Sequence, residues 1–172
     1  MLAAVLLAAP ADGRIRLGDG IGGVRLGMTQ AQVQRALGKP LGVERGRAAF
    51  GGETLTLHFG YAAYDVELRR VDGALRVVRV ATGLLKERTP EGIGVGSRET
   101  ELVKAYAKVR CTAPEALRFR DGRIRGFGPR ACVLREGRSE TQFLVRQQRR
   151  FNREERWVSR TAEVFEVSVR AV

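Results

Sequence analysis

Val24-Arg25-Leu26-Gly27-Met28-Thr29-Gln30-Ala31-Gln32-Val33-Gln34-Arg35-Ala36-Leu37-Gly38 decides how the rest of the chain is read. An apolar lead-in (Val24, Leu26) runs into a glycine where the backbone can turn. A helix start follows, in which Thr29 can cap and Gln32 can reach back as a capping box. Met28 and Val33 fall at the positions that staple a helix entry. Gly38 stops the helix after about two turns, and Pro40 prevents it from resuming. A degraded copy returns sixty-nine residues later as Ile93-Gly94-Val95-Gly96-Ser97-Arg98-Glu99-Thr100-Glu101-Leu102-Val103-Lys104-Ala105-Tyr106. Arg98 stands there in place of Thr29, so Ser97 is the expected cap. Gly27 and Gly96 should hold equivalent places at the mouths of two helices, the second helix longer and carrying Leu102, Tyr106 and Val109 at helical spacing.

Outward from these copies, the pattern changes to strands. Glu53 to Phe59 alternates, with Leu55, Leu57 and Phe59 on one face and Thr54, Thr56 and His58 on the other. Asp65 to Arg69 repeats this, and Asp72-Gly73 supplies a hairpin turn into Leu75 to Val80. Adjacent Val77 and Val78 imply either a bulge or a strand covered on both faces. Ala131 to Leu134, Thr141 to Val145 and Val164 to Val169 read as three further strands. Two insertions, near Thr112 to Arg130 and at Gln147 to Arg160, are expected as loops or hairpin extensions.

With 172 residues and 44% hydrophobic content, the chain is long enough for one sizeable core. The expected organisation is a leader over 1–11, a helix-plus-sheet unit over 12–90, and a second over 91–172 sharing the core. Met1 to Ala11 is an apolar run closing on Ala9-Pro10-Ala11, the small-x-small pattern of an export cleavage site before Asp12. It lacks a basic start and reads as a shortened leader; the competing reading is a buried element. It is too short to span a bilayer. A formal charge of +12 would suit nucleic acid, an anionic membrane surface or an acidic polymer. The only lysines are Lys39, Lys86, Lys104 and Lys108, so the excess is arginine, which GC-rich coding bias produces as well. Residues 1 to 90 carry 13 basic and 8 acidic groups, and 91 to 172 carry 18 and 11, so neither half is a basic arm.

The lead-in Gly23-Val24-Arg25-Leu26-Gly27-Met28-Thr29, its short amphipathic helix, and the closing Gly38 and Pro40 resemble the SmpA/OmlA (BamE-like) envelope proteins. Doubled in tandem, the pattern resembles the β-lactamase inhibitor protein (BLIP) fold. The resemblance covers Ile21 to Pro40 and, more loosely, Gly92 to Tyr106. It implies an α+β fold of two units, each a short helix packed on an antiparallel sheet of about three to four strands. It also implies that the helices cover one sheet face while the other face or its loops bind a protein, without catalysis.

Residues offered as catalytic are few. His58 is the sole histidine and lies mid-strand among threonines, so a hydrolase would have to be built on it. Asp65 and Glu67 could form a carboxylate pair, although Arg69 beside them suggests salt-linked surface. Cys111 and Cys132 lack zinc-site spacing and, in an exported chain, are expected to pair as a disulfide; in a cytosolic one they would be buried thiols. No metal, no cofactor and no enzymatic activity are expected. The expected function is that of an exported, inhibitor-like protein-binding module of the periplasm, cell envelope or extracellular space. Its contacts would be Thr54, Thr56, His58, Glu67, Arg69, Gln142 and Arg146 on the uncovered face, with Phe151 and Trp157 from the insertion. The alternative partner is an anionic polymer held by the Arg146 to Arg160 run.

Overall fold

Alternating apolar residues pair into one long sheet in the computed structural model, which describes residues 14–48, 52–60, 63–113, 116–118, 124–151 and 157–172. The expected leader over 1–11 and its expected cleavage point lie outside them. Strands β1 (Ile15–Arg16), β2 (Gly20–Ile21) and β3 (Val24–Arg25) form a small antiparallel meander. Helix α1 (Gln30–Leu37) follows, then β4 (Gly42–Arg47), β5 (Glu53–Phe59), β6 (Tyr64–Val71) and β7 (Ala74–Thr82). Helix α2 (Glu99–Ala105) precedes β8 (Arg110–Cys111), β9 (Ala116–Arg118), β10 (Ile124–Phe127), β11 (Arg130–Glu136), β12 (Ser139–Phe151) and β13 (Trp157–Ala171). β9 and β10 pair with each other, so the first insertion contains a hairpin; the second extends the β12–β13 hairpin.

The sheet order β4-β5-β6-β7-β13-β12-β11-β8 corrects the expected fold class. The protein is mostly β, a single eight-stranded antiparallel sheet with a three-stranded one, and not two helix-on-sheet units. The physical reason is the seam: Arg79, Val80, Ala81 and Thr82 of β7 pair with Arg170, Val169, Ser168 and Val167 of β13, fusing both strand sets through backbone hydrogen bonds. The helices, eight and seven residues long, are minor caps on that sheet.

Beyond the four-residue seam, the inner strands have open backbone groups that must find partners. The two lead-ins supply them. Gly27 N–H donates to the Val77 carbonyl at 2.8 Å and Val77 N–H to the Met28 carbonyl at 2.8 Å. Likewise Gly96 N–H donates to the Val164 carbonyl at 2.7 Å, and Val164 N–H to the Ser97 carbonyl at 2.9 Å. The register shifts beside each anchor, at Val78 and at Phe165, so the Val77-Val78 irregularity is a bulge. Gly27 and Gly96 thus have like surroundings at the two helix mouths.

Thr29 caps α1 with the expected box: its Oγ1 accepts from Gln32 N–H, and Thr29 N–H donates to Gln32 Oε1 at 2.8 Å. At α2 the expectation of a Ser97 cap fails. Arg98 is the cap residue, its N–H donating to Glu101 Oε2 at 2.8 Å, while Ser97 Oγ accepts from Gly94 N–H and Arg88 instead. Nor is α2 the longer helix: it ends before Tyr106, leaving Val109 buried in the turn beyond.

One sheet face buries Leu57, Val66, Leu68, Val80, Phe143, Val167 and Val169 under Val33, Leu102 and the meander residues Ile15, Ile21 and Val24. The meander crosses the sheet beside Tyr64 so closely that a Cβ on Gly22 would lie 2.5 Å from its ring. Asp72 and Gly73, with φ of 48° and 80°, form the tight β6–β7 turn read from the Asp-Gly pair.

Candidate functional site

Among the described residues the other sheet face carries no helix, and its side chains line up in two rows that cross the sheet. One row runs Gly42, His58, Asp65, Ala81, Ser168, Gln142, Val133, Arg110, one residue from each of the eight strands in direct register. The next runs Glu44, Thr56, Glu67, Arg79, Arg170, Glu140, Arg135. Cross-strand neighbours this close interact directly, and opposite charges between them stabilise.

Hydrogen bonds and ion pairs hold these side chains in place. His58 Nδ1 lies 2.7 Å from Asp65 Oδ1, and its Nε2 3.6 Å from Glu44 Oε2. Arg69 Nε donates to Glu67 Oε1 at 2.8 Å, so the acidic pair of β6 is salt-linked surface. At the seam Arg79 faces Arg170, a repulsive arrangement by itself. Each is drawn off by its own carboxylate: Arg79 donates to Glu166 Oε1 at 2.8 Å, and Arg170 Nε to Glu140 Oε1 at 2.5 Å. Glu140 is only 2% exposed and also lies 3.4 Å from Arg135 Nε. The face is consequently polar in the electrical sense, with Glu44, Asp65 and Glu67 towards β4–β6 and Lys108, Arg110 and Arg135 towards β8–β11. Those last three border a cleft of about 470 Å³.

Seven of the expected contact residues map onto this surface. Thr54, Thr56, His58, Glu67 and Arg69 come from β5 and β6; Gln142 sits between Ser168 and Val133; and Arg146 stacks over the Phe165 ring at 5.2 Å. Phe151 and Trp157 pair with each other at the far end of β12–β13, and their side chains lie outside those described. Much of the Arg146 to Arg160 run also lies outside the described residues. Arg79, Arg170, Glu166 and Glu140 were not singled out from the sequence. The alternation of β7, β12 and β13 puts them on this face, but only the β7–β13 pairing brings them together at its centre.

Among the described residues, both ring nitrogens of His58 meet carboxylates and no hydroxyl or thiol is bonded to it. Glu99, Cys111 and Cys132 bring ligand-type atoms within 4.8 Å of one another. The two sulfurs are joined as a disulfide, S–S 2.00 Å, and Glu99 pairs with Arg130, so this cluster has no thiolate to offer a metal. A cleft of about 740 Å³ lies beside α2 and is lined by none of the expected contact residues.

On the covered side, two tyrosines pin the connection between β7 and α2. The Tyr64 hydroxyl donates to Glu87 Oε1 at 2.5 Å; Glu87 is fully buried, with Arg14 at 3.4 Å. Tyr106 donates to Glu91 and lies 2.6 Å from Thr89 Oγ1. Burial, with the adjacent carboxylate, pushes both phenols well above their ordinary range. The Tyr106 hydrogen bond pulls Glu91 below the usual carboxylate range. A carboxyl with a lowered folded pKa stabilises the fold above its unfolded value, and that contribution is lost as pH falls through the folded value. In NMR titrations Glu91 should therefore have a midpoint below that of a free glutamate, and Tyr106→Phe should raise it. An unchanged midpoint in the variant would show that the hydrogen bond does not form.

No protein-family model, no curated protein and no solved structure matches the chain.

Proposed function

We propose that the chain is an exported, non-catalytic protein-binding module that grips its partner with the uncovered sheet face. The observation that carries this reading is the pair of continuous rows, one across all eight strands and one across seven, whose charged side chains are already held by hydrogen bonds and ion pairs. A surface organised before binding loses little side-chain freedom on association, and arginine-rich centres with polar rims suit protein recognition. The opposed acidic and basic ends favour a partner of complementary polarity and set its orientation. Export is supported by the disulfide, a bond that persists in oxidising compartments, and the described residues contain no helix long and apolar enough to cross a membrane.

The test is capture from an envelope extract by immobilised protein, compared with variants. Thr56→Arg places a long cation in the charged row, and Arg79→Ala empties its centre; Arg35→Glu on α1 is the control. The expected result is one captured protein lost about tenfold in both face variants and retained by the control. Equal capture by all four proteins would sink the reading. The runner-up, an anionic polymer, is favoured by the Lys108, Arg110 and Arg135 cleft and the charge of +12. It predicts binding to heparin or nucleic acid that falls about a thousandfold between roughly 50 and 200 mM salt, a slope the protein partner should not show.

A further inference from the structure

β4 is the open edge of the sheet. The opposite edge strand, β8, is only two residues long, whereas β4 runs for six and is exposed throughout after Gly42. Its backbone polarity can be assigned from the ladder. Ala48 N–H donates to the Gly52 carbonyl at 3.0 Å, in the same register that opposes Gly46 to Thr54 and Glu44 to Thr56. Antiparallel strands alternate bonded and non-bonded pairs, so Gly46 and Glu44 bond to β5, while Val43, Arg45 and Arg47 turn both N–H and carbonyl outward. Among the described residues these ladder groups have no strand partner, which leaves them ready for another strand.

The side chains of the same three residues border a cleft of about 470 Å³ on the covered side of the sheet, near the start of α1. Val43, Leu55 and Leu75 give it an apolar floor, and Arg45, Arg47 and Arg70 a basic rim; Glu53 is its acidic member. Val43 is 51% exposed, although its cross-strand neighbour Leu57 is fully buried. A second copy of this strand is the wrong occupant. Antiparallel self-pairing centred on Arg45 would set Arg45 against Arg45, and like charges directly opposite destabilise a sheet.

We propose that β4 receives an extended acidic segment of a partner protein as a ninth strand. The added strand bonds to the outward backbone groups of Val43, Arg45 and Arg47. It sets an apolar residue against Val43 and carboxylates against Arg45 and Arg47, within reach of Arg70. Backbone pairing gives affinity, and the alternate side chains that meet the cleft give selectivity for acidic sequences. The inference is independent of the sheet-face reading, since it uses a different surface and a different part of a partner.

The probe is the blocked peptide acetyl-Thr-Glu-Thr-Glu-Thr-Val-Thr-amide, with a version carrying lysine for both glutamates as its counterpart. Titration followed by NMR should move the amides of Val43, Arg45 and Arg47, with saturation at about millimolar concentration or below. The lysine peptide should bind at least about tenfold more weakly. Val43→Pro removes an outward N–H and leaves the β5 ladder intact, which edge strands tolerate; it should weaken binding about tenfold. Arg45→Glu/Arg47→Glu keeps the backbone and should reverse the preference between the two peptides. Thr56→Arg should leave peptide binding unchanged, which separates this test from that of the sheet face. Absence of binding at millimolar peptide, shifts confined to other strands, or a dimer that dissociates in Val43→Pro would each overturn the proposal.

Discussion

Phe143→Ala is expected to destabilise the protein by about 3–5 kcal/mol, the range for truncating a fully buried phenylalanine. Phe143 is completely buried on β12, opposite Cys132 of β11 and Val167 of β13. Its ring stacks on Tyr106 with centroids 6.2 Å apart. Truncation therefore removes apolar area and also withdraws the support under the residue that holds Thr89 and Glu91. Since a domain of this size has about 5–15 kcal/mol in total, the variant should keep only a fraction of its stability. The measurement is the urea midpoint at unchanged m-value, with Val103→Ala, at a half-exposed position on α2, as a comparison expected within about 0.5 kcal/mol of the parent. A loss below about 1 kcal/mol for Phe143→Ala would mean that β12 does not run through a close-packed core.

What the sequence revealed and what it hid follow from the range of the interactions involved. Local signals were sufficient for α1, whose cap, box and stop at Gly38 lie within ten residues. They also sufficed for β5, β6 and their neighbours, where period-two alternation and Asp72-Gly73 fix both face and turn. β4 escaped because an edge strand with Gly42, Glu44, Arg45, Gly46 and Arg47 buries nothing, and so has no apolar alternation to detect. The seam escaped for a different reason. Val80 and Val169 are 89 residues apart, and nothing local shows that two strands each facing a core will pair with each other, rather than each closing its own unit. That single pairing turned the expected two helix-on-sheet units into one sheet. The same distinction governs the site: Thr56, His58, Glu67 and Arg69 could be placed on the outer face by alternation, while Arg79 facing Arg170, each drawn to a separate glutamate, required the seam.

Loss of the Cys111–Cys132 bridge is the other change with a large expected cost, about 3 kcal/mol from the unfolded chain for a loop of this length, the cysteines being 21 positions apart in sequence. The two residues are register partners in β8 and β11, Cα atoms 3.9 Å apart, and the flanking Thr112 N–H donates to the Ala131 carbonyl at 2.8 Å. They form the kind of non-hydrogen-bonded cross-strand pair in which side chains approach most closely. Because β8 has only two residues, the bridge adds a covalent hold to an edge otherwise tied to β11 by two register pairs and the Thr112–Ala131 hydrogen bonds. Cys111→Ser/Cys132→Ser should therefore lower the urea midpoint by the equivalent of about 3 kcal/mol, and reductant should do the same to the parent but nothing further to the variant. Hydrogen exchange should localise the first effect: amides of β8 and of β11 near Cys132 should lose protection before those of β6 and β7, since the edge can open without the seam. If the variant loses less than about 1 kcal/mol, the unfolded-chain account of the bridge fails. If exchange rises uniformly, β8 is not a separable edge but a cooperative part of the eight-stranded sheet.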